Sequence, residues 1–114
     1  MNKYSDKSDF EINKAVAIAI GKVVGIRPDS NIIYLIGGDE LIEFAPCNNP
    51  ADAMPIIIEN KICMAYDVFA EERDGGNWVA QPAYGFSDER VRSDSYYRAA
   101  MICFLMMKDA ENES

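Results

Sequence analysis

Residues 32–58 read IIYLIGGDELIEFAPCNNPADAMPIII, and they set two kinds of secondary structure side by side. The runs 32–36 and 41–44 are rich in β-branched and aromatic residues and flank a glycine pair, which predicts a β-hairpin. A helix start follows, because Asn49 is a good N-cap residue and Pro50 suits the first helical position. A hairpin that leads directly into a helix favours the α+β class.

The hairpin carries two specific predictions. We expect Gly37 and Gly38 to supply the positive φ that a tight turn requires. The alternation of the two strands directs four side chains toward a core: Ile33, Leu35, Ile42 and Phe44.

The turn also differs by one residue from the Gly-Gly-Asp-Glu-Phe signature of diguanylate cyclases. A cyclase needs a further metal-binding carboxylate on a neighbouring strand, basic residues for the triphosphate and a larger domain, so the sequence favours a plain hairpin. Asp39, Glu40 and Glu43 are weak candidates for holding a divalent cation, because carboxylate oxygens suit magnesium. The simpler interpretation is that these carboxylates are solvated.

The sequence predicts three helices: one before this stretch, one that starts within it at Asn49, and one after it. The first helix begins with the capping-box pattern of Ser8 and Glu11 and runs to Ile20, with Asn13 on its polar side. The helix that starts at Asn49 contains Pro55, which lacks the amide for the bond to the preceding turn, so we expect a kink or a division into two short turns. The last helix is capped by Ser93 or Asp94. Its apolar stripe consists of Tyr97, Ala100, Met101, Phe104 and Leu105.

A second strand pair, 62–69 and 78–81, surrounds the turn-forming residues 74–77, whereas 82–92 is ambiguous. The predicted fold is therefore α+β, with an antiparallel sheet built from two hairpins and about three helices packed on it. The length fits a single domain, 1–114, with flexible ends at 1–7 and 109–114.

Composition narrows the function. The net charge of −8 repels phosphate backbones, and the nearest basic group, Arg90, Arg92 and Arg98, is interrupted by acids, so no direct nucleic-acid binding is expected. The longest apolar run, Ala99 to Met107, is much shorter than the roughly 20 residues of a membrane span. No secretion signal is apparent at the N-terminus, so we expect a cytoplasmic protein that does not bind membranes.

The chain has no histidine, which excludes Ser-His and Cys-His nucleophiles and histidine-bound metals. Cys47 lies two residues before Asn49, where a helix dipole would favour a thiolate, but a buried structural thiol is the stronger interpretation. Cys47, Cys63 and Cys103 are far apart and form no C-x-x-C pair, so we expect reduced, mostly buried thiols and no metal or other cofactor.

Three blocks together are similar to one family. SDFEINKAVAIAI at 8–20, PCNNPADAMPIIIENKI at 46–62 and RAAMICFLMMKDAE at 98–111 resemble, in the same order, the NinX family of lambdoid phages and their prophages. That family often has an aspartate before the Pro-Cys and a tryptophan before the second proline, where this chain has Ala45 and Met54. The resemblance implies a small protein of phage growth or of a prophage, acting in the host bacterial cytoplasm, and it assigns no catalytic residues.

The favoured hypothesis is a protein-binding module that acts on a host or phage protein and is not an enzyme. Candidate contacts are Asn48, Asn49, Asp52 and the loop 71–78, where Trp78 is either an exposed anchor or a core residue. The alternatives are an enzyme that depends on carboxylates and a divalent cation, and an acidic mimic of nucleic acid. A homodimer through the last helix is compatible with each of these.

Overall fold

The structure is a computed structural model that describes residues 3–22, 24–27, 29, 31–37, 39–83 and 90–112. Its α-helices are α1 (Asp9–Ala19), α2 (Pro50–Glu59) and α3 (Tyr96–Asn112), and Glu72–Asp74 form one 3₁₀ turn. Its strands are β1 (Val24–Arg27), β2 (Ile32–Gly37), β3 (Glu40–Glu43), β4 (Ile62–Tyr66), β5 (Trp78–Pro82) and β6 (Val91–Ser93). The α+β class and the three helices are confirmed.

Each predicted hairpin lies in a sheet of its own. Over the described residues the strands form two antiparallel three-stranded sheets, in the orders β1-β2-β3 and β4-β5-β6. The sequence does not predict strands β1 and β6, because they have only four and three residues and, unlike the equally short β3, are not joined to a neighbouring strand by a glycine-pair turn.

The longest helix, α3, is the centre of the fold. It packs on all three strands of the β4-β5-β6 sheet and contacts α1 and α2 on its other sides. Every residue from Ala99 to Leu105 is buried, which confirms the predicted stripe except that Tyr97 is half-buried. Full burial of a large apolar side chain stabilises the fold by roughly 1.5–3 kcal/mol, so this helix supplies much of the stability.

The predicted cap of α3 is wrong by one or two positions. The helix starts at Tyr96, and the Ser95 hydroxyl accepts a hydrogen bond from the backbone N–H of Arg98 at 3.3 Å, as an N-cap does. Ser93 instead accepts from the Ser95 N–H at 3.1 Å and lies at the end of β6. Consecutive candidate cap residues cannot be ranked by propensity alone.

Helices α1 and α2 begin as predicted. The Ser8 hydroxyl accepts from the Glu11 N–H at 3.2 Å, and the Asn49 side chain accepts from the Ala51 N–H at 3.0 Å. Pro55 does not divide α2, which runs as one helix. Both Ala51 and Pro55 are exposed, so water can hydrogen-bond to the carbonyl that the proline leaves without a partner.

The first hairpin buries only the end nearest the helices. Ile33 and Phe44 are buried and Leu35 is half-buried, as predicted, but Ile42 is 53% exposed and its predicted burial is wrong. No side chain of β3 is buried, because α1 covers β1 and β2 and does not extend to the turn end of the hairpin.

The turn of this hairpin differs from the prediction at one glycine. Gly37 does not have a positive φ, because it is the last residue of β2 and is paired with Glu40 in extended conformation. Gly38 lies outside the described residues.

The second hairpin has a longer connection than predicted. β4 ends at Tyr66, so the predicted strand end at Phe69 is wrong, and the chain turns at Asp67, whose carboxylate accepts from the Phe69 N–H at 2.9 Å. Gly75 and Gly76 have φ values of 97° and 132°. A Cβ on Gly76 would lie 2.2 Å from the Ser93 carbonyl carbon, so only glycine allows the connection to pass this close to β6.

The segment before α1 is bound to α3. The Tyr4 hydroxyl donates to the Asp109 carboxylate at 2.6 Å, and the Arg98 guanidinium donates to the Ser5 and Lys7 carbonyls. The single domain 1–114 and the flexible ends at 1–7 and 109–114 remain predictions. No helix in the described part of the chain is long and apolar enough to cross a membrane.

Candidate functional site

A cleft of about 570 Å³ opens where α1, the base of the first hairpin and the start of α2 meet. We call it the amide cleft, because asparagine is its commonest lining residue. It is lined by Ser8, Asp9, Phe10, Asn13, Asn31, Ile32, Ile33, Glu43, Phe44, Ala45, Asn48, Asn49 and Asp52. The three predicted contact residues Asn48, Asn49 and Asp52 therefore lie in one site.

The wall of the cleft is held by hydrogen bonds from polar side chains to the backbone of the loop before α2. The Asn13 amide oxygen accepts from the Cys47 N–H at 2.9 Å, and the Asp52 carboxylate accepts from the Ala45 N–H at 2.9 Å. Asn49 caps α2. These bonds replace the hydrogen bonds to water that the loop N–H groups lose on folding. Asn49 and Asp52 therefore stabilise the fold and also line the site.

Asn13 is the largest departure from the sequence analysis in this region. The sequence places it on the polar side of α1, but it is buried and its amide lies between α1 and the loop. In the structure Asn13 lies beside the buried residues Ile12 and Val16, and nothing in the sequence around it indicates the distant backbone group that it binds.

The mouth of the cleft carries the exposed polar groups Asn31, Glu43 and Asn48. Asn31 has φ 54°, a left-handed conformation that asparagine tolerates better than most residues, in the turn between β1 and β2. Asn48 donates from Nδ2 to the Asp9 carboxylate at 3.2 Å, and Asp9 also forms a 2.6 Å ion pair with Arg98. Two elements far apart in sequence thus meet at this mouth.

The cleft is a polar surface with more acidic than basic lining residues, and the charge of one of its acids, Asp9, is neutralised by Arg98. Eight of its thirteen lining residues are polar, three of these are the carboxylates Asp9, Glu43 and Asp52, and no lysine or arginine is among the described lining residues. The sequence does not identify Asp9 and Asn31 as site residues. Asp9 was visible only as the residue after a helix cap, and Asn31 as part of a loop, so neither signal indicated a shared site.

Trp78 lies on β5 and its ring contacts the start of α3. It is half-buried against the core, and its ring makes edge-to-face contacts with Tyr66 and Tyr96 at centroid distances of 4.9 and 5.0 Å. Such contacts stabilise a fold by about 0.5–1.5 kcal/mol each beyond burial. Trp78 is not among the described lining residues of the amide cleft, and Phe69, in the connection between β4 and β5, is far more exposed, at 88%.

The carboxylates Asp39, Glu40 and Glu43 do not converge. Glu40 and Glu43 are three residues apart on β3, so their side chains project from opposite faces of the sheet. Among the described residues there is no group of three or more histidine, cysteine, aspartate or glutamate side chains that could hold a metal ion.

The thiols differ in accessibility. Cys47 and Cys103 are buried and Cys63 is exposed on β4, so two of the three thiols are buried, in agreement with the expectation of mostly buried thiols. Burial raises the pKa of the Cys47 thiol to about 12, and the nearby Asp9 carboxylate adds to the shift. The structure therefore supports the structural interpretation of Cys47, because a thiol nucleophile requires a lowered pKa.

Arg90, Arg92 and Arg98 line a second cleft, of about 690 Å³, together with Asp74 and Asp94. Arg92 forms a 2.9 Å ion pair with Asp67, and Arg98 is paired with Asp9. Because two of the three guanidinium groups are neutralised by carboxylates, this surface is not the basic stripe that phosphate backbones require.

Comparison with known proteins gives one match. The family described as Bacteriophage P22, NinX matches residues 3–108. Neither the curated proteins nor the solved structures contain a match. The matched region includes α1, both hairpins, α2 and most of α3, and hence every lining residue of the amide cleft. The chain therefore belongs to the bacteriophage P22 NinX family.

Proposed function

We propose that this phage protein is a protein-binding module of the bacterial cytoplasm and that the amide cleft is its contact surface for a host or phage protein. The observation that supports this most strongly is the convergence of Asn48, Asn49 and Asp52 with Asp9 and Glu43 in one open cleft. These residues come from three separate segments of the chain.

The hydrogen-bonding groups and the charge of the cleft indicate which kind of partner surface would bind there. Carboxylate oxygens only accept hydrogen bonds, whereas each asparagine amide offers N–H donors as well as an acceptor oxygen. The exposed Glu43 carboxylate is complementary to lysine or arginine side chains, and the exposed amides of the cleft are complementary to the N–H and C=O groups of a peptide backbone. A chain of net charge −8 also attracts basic surfaces over a distance and accelerates their association.

The polarity of the cleft favours a protein over a small molecule. Small-molecule pockets are lined mainly by apolar and aromatic side chains with a few polar groups. Here polar residues are the majority, and several of them lie exposed at the mouth. Protein contacts with polar rims and bridging water have this composition.

The test is capture of partners from a lysate of the infected or lysogenic host. The tagged wild-type protein is compared with Asn48→Lys, which places a positive charge at the mouth of the cleft. The matched control is Gln81→Lys, which introduces the same charge at an exposed position on β5, in the other sheet. We expect one or more proteins with basic segments to be retained by the wild type and by Gln81→Lys, and to be lost by Asn48→Lys.

Two outcomes would count against the proposal. A partner that Asn48→Lys retains as well as the wild type does would locate the contact outside the cleft. Failure of the folded wild-type protein to retain any partner, in lysates from both growth states, would argue against a binding module altogether.

A further inference from the structure

The third strand of the first sheet, β3, is an edge strand in the described part of the structure. β3 pairs with β2 over Glu40–Glu43, and no other described strand lies beside it. The Phe44 N–H donates to the Ile33 carbonyl at 2.8 Å, which identifies Phe44 and Ile33 as a hydrogen-bonded pair. Because hydrogen-bonded and non-bonded pairs alternate in an antiparallel ladder, Ile42 and Glu40 bond to β2, and the N–H and C=O groups of Leu41 and Glu43 point to the free edge.

The side chains at this edge are more apolar than an exposed edge normally allows. Leu41 is 60% exposed, and its cross-strand neighbour Ile36 is 45% exposed. Ile42 is exposed on the opposite face of the strand. Proteins usually protect edge strands with inward-pointing charges, prolines or covering elements. Here the only charges on the strand are Glu40 and Glu43 at its two ends.

We propose that this edge accepts an extended segment of the partner protein as a fourth, antiparallel strand whose side chains run basic, apolar, apolar, basic. The inference rests on the proposed function in that the partner is a protein. Residues opposite Leu41 and Ile42 extend the exposed apolar surface on both faces, and lysine or arginine opposite Glu43 and Glu40 pairs with each carboxylate. Cross-strand pairs of opposite charge and of apolar side chains both stabilise a sheet.

A second copy of this chain fits the edge less well. In the two-fold antiparallel register that satisfies Leu41 and Glu43, each Leu41 would lie opposite Glu43 of the second copy. The two copies would also each bring a net charge of −8. A basic partner strand meets neither difficulty.

The edge and the amide cleft adjoin one another. Glu43 belongs to both, since it is the last residue of β3 and lines the cleft. A partner segment that pairs with β3 would therefore lie beside Asn48 where the strand ends. Main-chain hydrogen bonds would supply affinity, and the cleft and the two glutamates would supply selectivity, as in other complexes formed by strand addition.

The test uses a short capped peptide with Lys-Val-Ile-Lys between threonines. We expect saturable binding with a dissociation constant of about 1 mM or lower. The backbone N–H resonances of Leu41 and Glu43 should shift and become protected from hydrogen exchange. N-methylation of the first lysine and the isoleucine, which lie opposite Glu43 and Leu41, should weaken binding about tenfold, because it removes two hydrogen bonds. N-methylation of the valine and the second lysine is the matched control and should have little effect.

Three results would overturn the strand-addition proposal: no binding at millimolar peptide, equal effects of the two methylation patterns, or equal binding of a peptide with glutamates in place of the lysines. Leu41→Glu should lower peptide binding at least tenfold in a protein that remains folded. Captured partners that depend on Asn48 but not on Leu41 would refute the edge proposal while leaving the proposed function intact.

Discussion

The β4-β5-β6 sheet buries the face that carries Ile62, Ala80 and Val91 against α3, whereas the β1-β2-β3 sheet buries Ile33 and leaves all of β3 exposed. Both sheets are antiparallel and have three short strands of similar apolar content. They differ in what covers them. α3 packs on every strand of one sheet, and α1 covers only the β1 and β2 strands of the other.

This difference separates the residues that stabilise the fold from those available for contact. Apolar side chains on the α3-facing side of the β4-β5-β6 sheet are shielded from water in the free protein and contribute to its stability. Leu41, Ile42 and Ile36 contribute little, because they are still in contact with water. They would contribute only when a partner covers them, so the two sheets should respond very differently to substitution.

The largest expected difference is between Phe104 and Ile42. Phe104 is fully buried in α3, so Phe104→Ala should lower the free energy of unfolding by about 3–5 kcal/mol. Ile42→Ala, at an exposed position of β3, should cost about 1 kcal/mol or less. Urea denaturation followed by circular dichroism measures both. If Phe104→Ala does not fold, Ile102→Val, expected to cost about 0.5–1.5 kcal/mol, is compared with Ile42→Val, expected to cost less than about 0.5 kcal/mol. Equal losses at the buried position in α3 and the exposed position on β3 would contradict the comparison.

A second comparison uses alanine substitutions at two glycines, Gly76 beside the β4-β5-β6 sheet and Gly37 in the other sheet. Gly76 has φ 132° and no space for a Cβ beside Ser93, so Gly76→Ala should destabilise the protein by more than about 2 kcal/mol. A Cβ on Gly37 would meet no described atom within 4 Å beyond its chain neighbours, and the φ of Gly37 is not positive. Gly37→Ala should therefore change stability by about 0.5 kcal/mol or less. Thermal unfolding of the two variants decides the matter. A Gly76→Ala protein as stable as the wild type would mean that the connection to β6 can move away without cost.

The helices were predictable from sequence because their signals are local. Ser8, Asn49 and the stripe of α3 each combine a cap or a periodicity with a length of ten residues or more. The first hairpin was predictable for the same reason, since its strands and turn are contiguous. The exposure of Ile42 was not, because alternation shows which residues share a face and does not show how far a helix extends over that face.

The candidate site was predictable only in part. Asn48, Asn49 and Asp52 are close in sequence and form one local pattern. Asp9 and Asn31 reach the same cleft through the packing of α1 and the sheet, which a single sequence does not encode in any local pattern. Asn13 illustrates the physical reason: its role depends on the Cys47 N–H, which is 34 positions away.

A third prediction concerns the wall of the amide cleft. Asn13→Ala removes the acceptor of the buried Cys47 N–H and should cost about 1–3 kcal/mol, because a buried donor would be left without a partner. Asn48→Ala changes an exposed amide at the mouth of the same cleft and should cost about 0.5 kcal/mol or less. Chemical denaturation measures stability, and partner capture is assayed in parallel. We expect Asn48→Ala to weaken capture without loss of stability, and the opposite pattern would make Asn48 a structural residue.

The smallest predicted effect on stability concerns an ion pair on the outer face of the β4-β5-β6 sheet. The exposed face of the other sheet carries the apolar side chains of Ile36 and Leu41 instead. The hydrogen bond from Arg92 lowers the pKa of the Asp67 carboxyl below its ordinary value of 3.8, and the bond from the Phe69 N–H adds to this. A carboxyl whose pKa is lowered by folding contributes stability that is present above its unfolded pKa and is lost as the pH falls through the folded pKa.

The coupling between Arg92→Gln and Asp67→Asn in a double-mutant cycle should therefore be favourable at neutral pH and should decline below pH 3.8. The control cycle pairs Arg92→Gln with Glu40→Gln on the other sheet and should show no coupling at either pH. A coupling that stays constant as the pH falls would show that Arg92 acts through packing rather than through the charge of Asp67.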